Sequence, residues 1–302
     1  MRPFRCTLFV AIALIICAAP AAASARTTEK QVSASLTKVL TSELAPPGVI
    51  VTMHRDGKTT TLTGGRSQIG KVTKPKITDH LRLASVTKAF TGAVVLRLVD
   101  QEAISLEDTV GQYLPSMPLA WHAVTIRQLL NHTSGVPDYT KSPGFFNQFQ
   151  TAPTAKVSPQ TIIDWVRADP LVFPSGSKYE YSNTDNIIAA LIAETASGRT
   201  YPNLLKMIVF DPLKLRGTSL PTGIELHKPF IHGYVAETSE ALALEAVTDY
   251  TDVTSILSPT GAWASGGIES TPKDLGKFIR ELLAKRFFSA RVQKQQLKWV
   301  KG

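Results

Sequence analysis

Val32, Leu36, Val39, Leu40 and Leu44 recur at the spacing of one helical face, and Pro46-Pro47-Gly48 stops the run. Two short segments follow, residues 49–54 and 58–63, flanking Asp56-Gly57. That dipeptide supplies the positive φ angles of a tight two-residue turn, so the pattern predicts a β-hairpin. A polar, lysine-rich loop runs to about Asp79. Residues 85–101 then read as a helix with Phe90, Val94, Val95 and Leu98 on its buried side. The stretch 105–158 is rich in Pro, Gly, Asn and Ser and reads as loops with short helices. Further helices are predicted over 159–168, 185–196, 202–210 and 272–283, with a last amphipathic stretch over 290–300. There is no internal repeat and no disordered linker. One hairpin ahead of a long helical middle gives an α+β fold class. Two strands alone are marginal in water, so this sheet calls for more strands or a covering layer.

The chain's first residues carry a different pattern. Arg2 and Arg5 precede an apolar run from Cys6 to Cys17, and Ala23-Ser24-Ala25 is a small-residue cleavage site. Residues 1–25 therefore read as a secretory signal peptide, with an apolar core too short to span a bilayer. Cys17 could suggest a lipidation site, but bulky Ile16 precedes it where a small residue is wanted. Removing residues 1–25 leaves 277 of the 302 (302 − 25), enough for one large domain or two intimate ones. It also removes both cysteines, so neither a disulfide nor a thiolate metal site is expected in the mature protein. Net charge falls from +9 to +7 as Arg2 and Arg5 leave. The remaining basic residues are scattered, without aromatic interleaving, which argues against nucleic acid as a partner. No later stretch is apolar enough for a membrane span. The expectation is an exported protein, secreted or extracytoplasmic, near the cell wall, and a monomer. The basic balance fits an anionic wall, although solvated surface charge is the simpler and preferred explanation.

Candidate chemistry begins at Ser85-Val86-Thr87-Lys88. Positions i and i+3 share a helical face, so hydroxyl and ammonium can meet. A serine in the first turn also faces backbone N–H groups able to stabilise an oxyanion. The pattern is not unique, since Ser35–Lys38, Ser175–Lys178 and Ser270–Lys273 share it. Ser35 lies off its helix's apolar stripe, Ser175 sits in a loop, and Ser270 reads as a helix cap before Thr271-Pro272. Only Ser85 starts a strongly apolar helix, where a polar pair costs desolvation and is less easily an accident.

Tyr181-Ser182-Asn183 is a second element. Tyrosine serves as a base when nearby positive charge favours its phenolate. Asparagine offers a donor and an acceptor, to orient a lysine or a substrate amide. Tyr201-Pro202-Asn203 matches the same pattern, but Pro202 marks a helix start. Without further context a packing tyrosine explains Tyr181 as well. Rival sites are weaker. Ser134 follows His132 by only two residues, and Trp263 stands where a Gly-x-Ser-x-Gly elbow at Ser265 would need glycine. The six histidines form no metal spacing, Glu107-Asp108 reads as solvated, and no phosphate-binding glycine loop occurs.

Four segments in order carry a resemblance: Leu83-Ala84-Ser85-Val86-Thr87-Lys88, Leu129-Leu130-Asn131-His132-Thr133-Ser134-Gly135, Tyr179-Glu180-Tyr181-Ser182-Asn183, and Ser265-Gly266-Gly267-Ile268-Glu269-Ser270-Thr271. From about Pro47 to Val300 the chain resembles the serine β-lactamase-like and penicillin-binding superfamily. Its nearest branch is that of D-alanyl-D-alanine carboxypeptidases and class C β-lactamases. The resemblance implies a β-lactamase/transpeptidase-like fold, with an antiparallel sheet flanked by helices plus a mainly helical domain. Its domain reading is a signal peptide over 1–25, then one domain over 26–302. The sheet part would take 26–80 and 246–302, and the helical part 81–245. Ser85 would be the acylated nucleophile and Lys88 would assist its deprotonation. Tyr181 would pass the proton to the leaving group and then activate water, while Asn183 orients Lys88 and the substrate amide. No metal or cofactor is implied.

The same resemblance implies a third motif, Lys-Thr-Gly or His-x-Gly, on a strand lining the cleft. The sequence contains neither Lys-x-Gly nor His-x-Gly. The expectation is therefore a chain with the C-terminal strands missing and an incomplete site. Three functions stay open. The preferred one is a serine hydrolase acting on a D-Ala-D-Ala peptide through an acyl-enzyme. The others are a β-lactam or ester hydrolase, and a non-catalytic member that keeps the pocket.

Overall fold

The computed structural model describes residues 21–42, 45–237, 249–284 and 287–298. Most of the predicted leader, residues 1–20, lies outside these. Helix α1 (Ala21–Leu40) packs over a hairpin of β1 (Gly48–Arg55) and β2 (Lys58–Gly65). The hairpin runs in register from Arg55 opposite Lys58 to Gly48 opposite Gly65. Asp56 (φ 49°) and Gly57 (φ 75°) both take the left-handed conformation that the tight turn requires. The apolar stripe of α1 is narrower than its spacing suggested, because Val39 is 45% exposed. Leu44 lies outside the described residues.

After a long loop come β3 (Leu81–Arg82), α2 (Thr87–Asp100), α3 (Val110–Tyr113), α4 (Ile126–Leu130), α5 (Pro143–Thr151) and α6 (Pro159–Asp164). Next are α7 (Asn183–Ser197), α8 (Tyr201–Leu205), β4 (Tyr234–Glu237), β5 (Asp249–Asp252), α9 (Trp263–Gly266), β6 (Glu269–Ser270), α10 (Pro272–Leu283) and α11 (Ala290–Gln296). Helix α2 is the central rod. Phe90, Val94, Val95 and Leu98 are buried as its pattern predicts, but so are Ala93, Leu96 and Val99. The helix is enclosed on several sides because α7, α8, α9 and α11 all pack on it. Phe90 stacks on Phe278 of α10, ring centroids 3.8 Å apart and planes within 13°. Helix α7 buries Ile187, Ile188, Ala189, Ala190, Ile192 and Ala193, and ends at Gly198 in the left-handed conformation.

Several boundaries differ from the periodicity. Helix α6 stops at Asp164 rather than 168, and α11 stops at Gln296. Helix α8 loosens after Leu205 into a wide turn over Lys206–Phe210. Each is a terminus where local propensity runs past the tertiary contacts that hold a helix. The strand inventory also differs. Beyond the predicted hairpin, β3 pairs antiparallel with β6, and β4 with β5. Strands of two residues carry no readable alternation, which hid β3 and β6. Thr271, not Ser270, is the N-cap of α10, accepting from Asp274 N–H, while Ser270 belongs to β6. No described helix is long and apolar enough to cross a membrane.

The Phe90–Phe278 stack ties α10 to the central rod, and both rings are fully buried. Phe278→Ala should cost about 3–5 kcal/mol of stability, read as a fall in the urea midpoint at unchanged slope. Val86→Ala, at an exposed position, should change it by less than about 0.5 kcal/mol. Equal effects would remove α10 from the core.

Candidate active site

Ser85 is delivered by a strained connection. The chain leaves β3, passes Leu83, and takes Ala84 to φ 45° before a single 3₁₀ turn over Ala84–Val86 runs into α2. A left-handed alanine is costly, and it persists only where its neighbours fix it. Here Leu83 N–H donates to Ile268 O at 2.9 Å, and Ile268 N–H donates to Thr87 Oγ1 at 3.1 Å. The start of α2 is thus stitched to the segment that enters β6. Ser85 sits exposed at this corner rather than within the buried helix, and Lys88 lies one turn below it, partly buried.

The four residues singled out in the sequence meet here. Lys88 Nζ donates to Ser85 Oγ (3.2 Å), to Asn183 Oδ1 (2.8 Å) and to the carbonyl of Ser265 (2.8 Å). Those three bonds use all three ammonium protons. Ser85 Oγ is 2.8 Å from the Tyr181 hydroxyl, either of which can donate. The Lys88 nitrogen also lies 4.8 Å from the centre of the Tyr181 ring. Burial holds the Lys88 ammonium below the usual lysine pKa, partly opposed by its contact with Tyr181.

Behind these residues stands a layer the sequence did not disclose. Asn183 Nδ2 donates to both carboxylate oxygens of Asp138 (3.2 and 3.1 Å) and faces Thr140 Oγ1 at 3.4 Å. Its amide is therefore committed to orienting Lys88. Tyr139 hydroxyl meets Ser265 Oγ at 3.0 Å, fixing the segment whose carbonyl receives Lys88. Asp185, fully enclosed on α7, accepts from His132 Nδ1 at 2.9 Å and from Ser134 Oγ at 2.5 Å. His132 packs its ring 4.8 Å from that of Tyr181. Burial lifts the Asp185 carboxyl to about 6, with His132 and Ser134 pulling it back down. Gly135 (φ 76°) closes this loop, where a Cβ would sit 2.2 Å from Phe173 O. His132 and Ser134, set aside in the sequence as a rival pair, support the site through a shared partner that spacing could not show, because Asp185 lies 51 residues beyond Ser134.

The rival patterns take other places. Ser35 is exposed on α1, Ser175 Oγ donates to Ser134 O, and Ser270 is buried against Thr218. Tyr201 is fully buried and bonded to Thr91. Glu107 is exposed, as expected, and pairs with Arg127 at 2.7 Å, whereas Asp108 is half-buried and accepts from Tyr113. Ser85 opens onto a cavity of about 320 Å³ bordered by Tyr139, Phe145, Phe149, Trp165, Pro259 and Asn183. A second cavity of about 480 Å³ reaches Lys88 from the far side of α2 but does not touch Ser85.

Comparison with known proteins supplies the context. The beta-lactamase family profile matches residues 25–302. Penicillin-binding protein 4* of Bacillus subtilis (strain 168) is 32% identical over 227 residues, which is 72% of this chain and 48% of that protein. The chain spans between a third and a half of the length of the curated relatives it matches. The structure of a D-stereospecific amidohydrolase from Streptomyces sp. superposes with TM-score 0.77 and 29% identity, over 88% of this chain and 77% of that one. D-amino acid amidase from Ochrobactrum anthropi SV3, at 24% identity and TM-score 0.73, covers 86% of this chain and 74% of its own and shares the fold.

The Asp185 pair gives a testable pH dependence. A carboxyl whose folded pKa is raised from 3.8 to about 6 loses stabilisation as pH climbs between those values. Removing His132 deletes the strongest group holding that pKa down, so the folded carboxyl should titrate still higher. His132→Ala should cost about 3 kcal/mol at pH 8, where the buried carboxylate keeps only the Ser134 donor. At pH 5 the carboxyl is protonated and the loss should be under half of that. Urea unfolding at the two pH values decides it, and a pH-independent loss would exclude the pair as the cause.

Proposed function

We propose that this chain, which belongs to the beta-lactamase family, is a serine hydrolase that works through an acyl-enzyme on Ser85. The observation that carries this reading is the unbroken set of contacts from Asn183 through Lys88 and Ser85 to Tyr181. An exposed hydroxyl within reach of two groups able to move its proton is the arrangement nucleophilic catalysis needs. Ser85 Oγ attacks the scissile carbonyl, forming the C–O bond. Its proton leaves through Lys88 and Tyr181, and Tyr181 delivers it to the departing nitrogen as the C–N bond breaks. Water then attacks the acyl carbon and gives a proton to Tyr181, which passes it to Ser85 Oγ as the ester C–O bond breaks and the acid is released. Val86 N–H and Thr87 N–H are already bonded to Leu83 O and Ala84 O, so it is the N–H of Ser85 itself, at the start of the turn, that can face the developing oxyanion.

Within this class we favour a D-alanyl-D-alanine carboxypeptidase-like activity at the cell wall. Support comes from the similarity to penicillin-binding protein 4* and to a D-stereospecific amidohydrolase, and the leader-like residues 1–25 agree with export. A β-lactam or small ester would follow the same acylation step.

Fluorescent penicillin should label the protein in the extracytoplasmic fraction of cells, and mass spectrometry should find the adduct on Ser85. Ser85→Ala should abolish the label, and Lys88→Ala should slow acylation by about 10²–10⁴-fold. Labelling that survives Ser85→Ala would refute the assignment. Burial holds Lys88 below the usual lysine range, and the base must be deprotonated to accept a proton. Acylation should therefore rise with pH along a limb centred below about 10.4, the ordinary lysine value. A limb at or above that value would separate Lys88 from the proton transfer.

A further inference from the structure

The wall of the cavity beside Ser85 is unlike the polar cluster on its other side. Helix α5 brings Phe145 and Phe149 one turn apart, ring centroids 6.4 Å from each other. Phe145 also meets Tyr139 (5.7 Å) and Trp165 (6.1 Å). This approach depends on Gly144, where a Cβ would lie 2.3 Å from Trp165 Cδ1. The opposite wall is aliphatic, from Val157, Leu257, Pro259 and Ala262. Phe149 is nevertheless 49% exposed and lines the same cavity as Ser85. Most polar side chains around the cavity are already engaged, the exception being Arg82 Nη1, which is buried without a partner among the described residues. Arg82 donates to the carbonyls of Ile224 and Thr254, Gln148 to Ala152 O, Ser258 bonds Thr260, and Asn183 holds Lys88. An apolar enclosure of this size with few uncommitted polar groups fits an apolar ligand group.

Resting on the acyl-enzyme reading above, we propose that this cavity receives a bulky apolar group, aryl-alkyl or branched aliphatic, carried on the acyl half of the substrate. The side follows from the chemistry. Tyr181 protonates the leaving group in that mechanism, and Tyr181 does not border the cavity, whereas Ser85, Asn183 and Ser265 do. The departing group therefore lies toward Tyr181, and what remains bonded to Ser85 lies toward the aromatic wall. A D-alanyl residue presents only a methyl at the scissile carbonyl, so a peptide substrate would carry the bulky group one residue further in. Filling the cavity costs the protein no apparent strain at Gly261, where a Cβ would meet nothing closer than Val157 Cγ2 at 3.8 Å.

The test uses p-nitrophenyl esters, which share one leaving group, with acetyl, hexanoyl and 3-phenylpropionyl acyl chains. Each buried methylene is worth about fourfold, so kcat/KM should rise at least about 30-fold from acetyl to 3-phenylpropionyl. Gly261→Leu should bring that ratio close to one, and Phe149→Ala should lower it about three- to tenfold. Unfolding midpoints of both variants are measured alongside. A flat series with Ser85-dependent turnover would overturn the pocket and leave the hydrolase reading intact. Binding separates the opposite case. With Ser85→Ala protein, 3-phenylpropionate should bind at least about tenfold tighter than acetate and perturb the fluorescence of Trp165, an effect lost in Trp165→Phe. That selectivity, erased by Gly261→Leu, upholds the pocket even where no ester is turned over. Equal binding of the two acids refutes it.

Discussion

A partly buried ammonium with three protons to place organises this molecule. Removing a charged amine from water is costly unless each proton finds an acceptor. Lys88 finds them on three segments: the turn that precedes its own helix, the start of α7 and the carbonyl of Ser265 on α9. The partners stand 95 and 177 residues away along the chain. Satisfying one nitrogen therefore fixes how α2, α7 and α9 pack, and the buried apolar faces of α2 and α7 close around that geometry. The burial that demands three acceptors is also what lowers the affinity of Lys88 for its proton. The packing constraint and the chemical capacity have one cause.

The surrounding carboxylates give this arrangement its direction. An amide can present either its oxygen or its nitrogen, and Asn183 could have turned its nitrogen toward Lys88. The Asp138 carboxylate removes the choice, because it accepts from Nδ2 and leaves Oδ1 to the ammonium. Asp185 plays a different part. It is a fully buried acid held by His132 and Ser134, and it ties the loop after α4 to the first turn of α7. His132 lies in turn against the Tyr181 ring. Tyr181 is thus backed by a side chain that is itself anchored, and only its hydroxyl is left to meet Ser85.

Legibility in the sequence followed the range of the forces involved. The hairpin, the nucleophile helix, α7 and α10 were readable because each rests on local periodicity or on a two-residue turn signal. Ser85, Lys88, Tyr181 and Asn183 were readable as types at fixed spacings, and the structure brings all four together. Short pairings such as β3 with β6 were not, since two residues show no alternation and their partner lies far along the chain. Asp138 and Asp185 escaped for a related reason. A carboxylate that is wholly enclosed, as Asp185 is, or half-buried, as Asp138 is, shows its role only through the groups it faces, and those come from other segments. Ser270 misled because Ser and Thr both cap helices, and only the backbone shows that Thr271 holds the position.

The position of Ser85 reconciles two opposing demands. A nucleophile must reach solvent-borne substrate, while its activating lysine must be enclosed. One continuous helix would bury or expose positions i and i+3 together, since they share a face. The chain meets both demands at the helix start, which it approaches through left-handed Ala84 at a cost on the order of 1–3 kcal/mol. The bend leaves Ser85 in a 3₁₀ turn outside α2 while Lys88 falls within it. The β3–β6 pairing and the two bonds to Ile268 hold the bend in place. Tyr181 and Lys88 both converge on one oxygen of Ser85, so the corner that carries it must keep both within reach. The left-handed alanine therefore serves the approach of the chain to an exposed nucleophile whose lysine, one turn on, is enclosed by the helix.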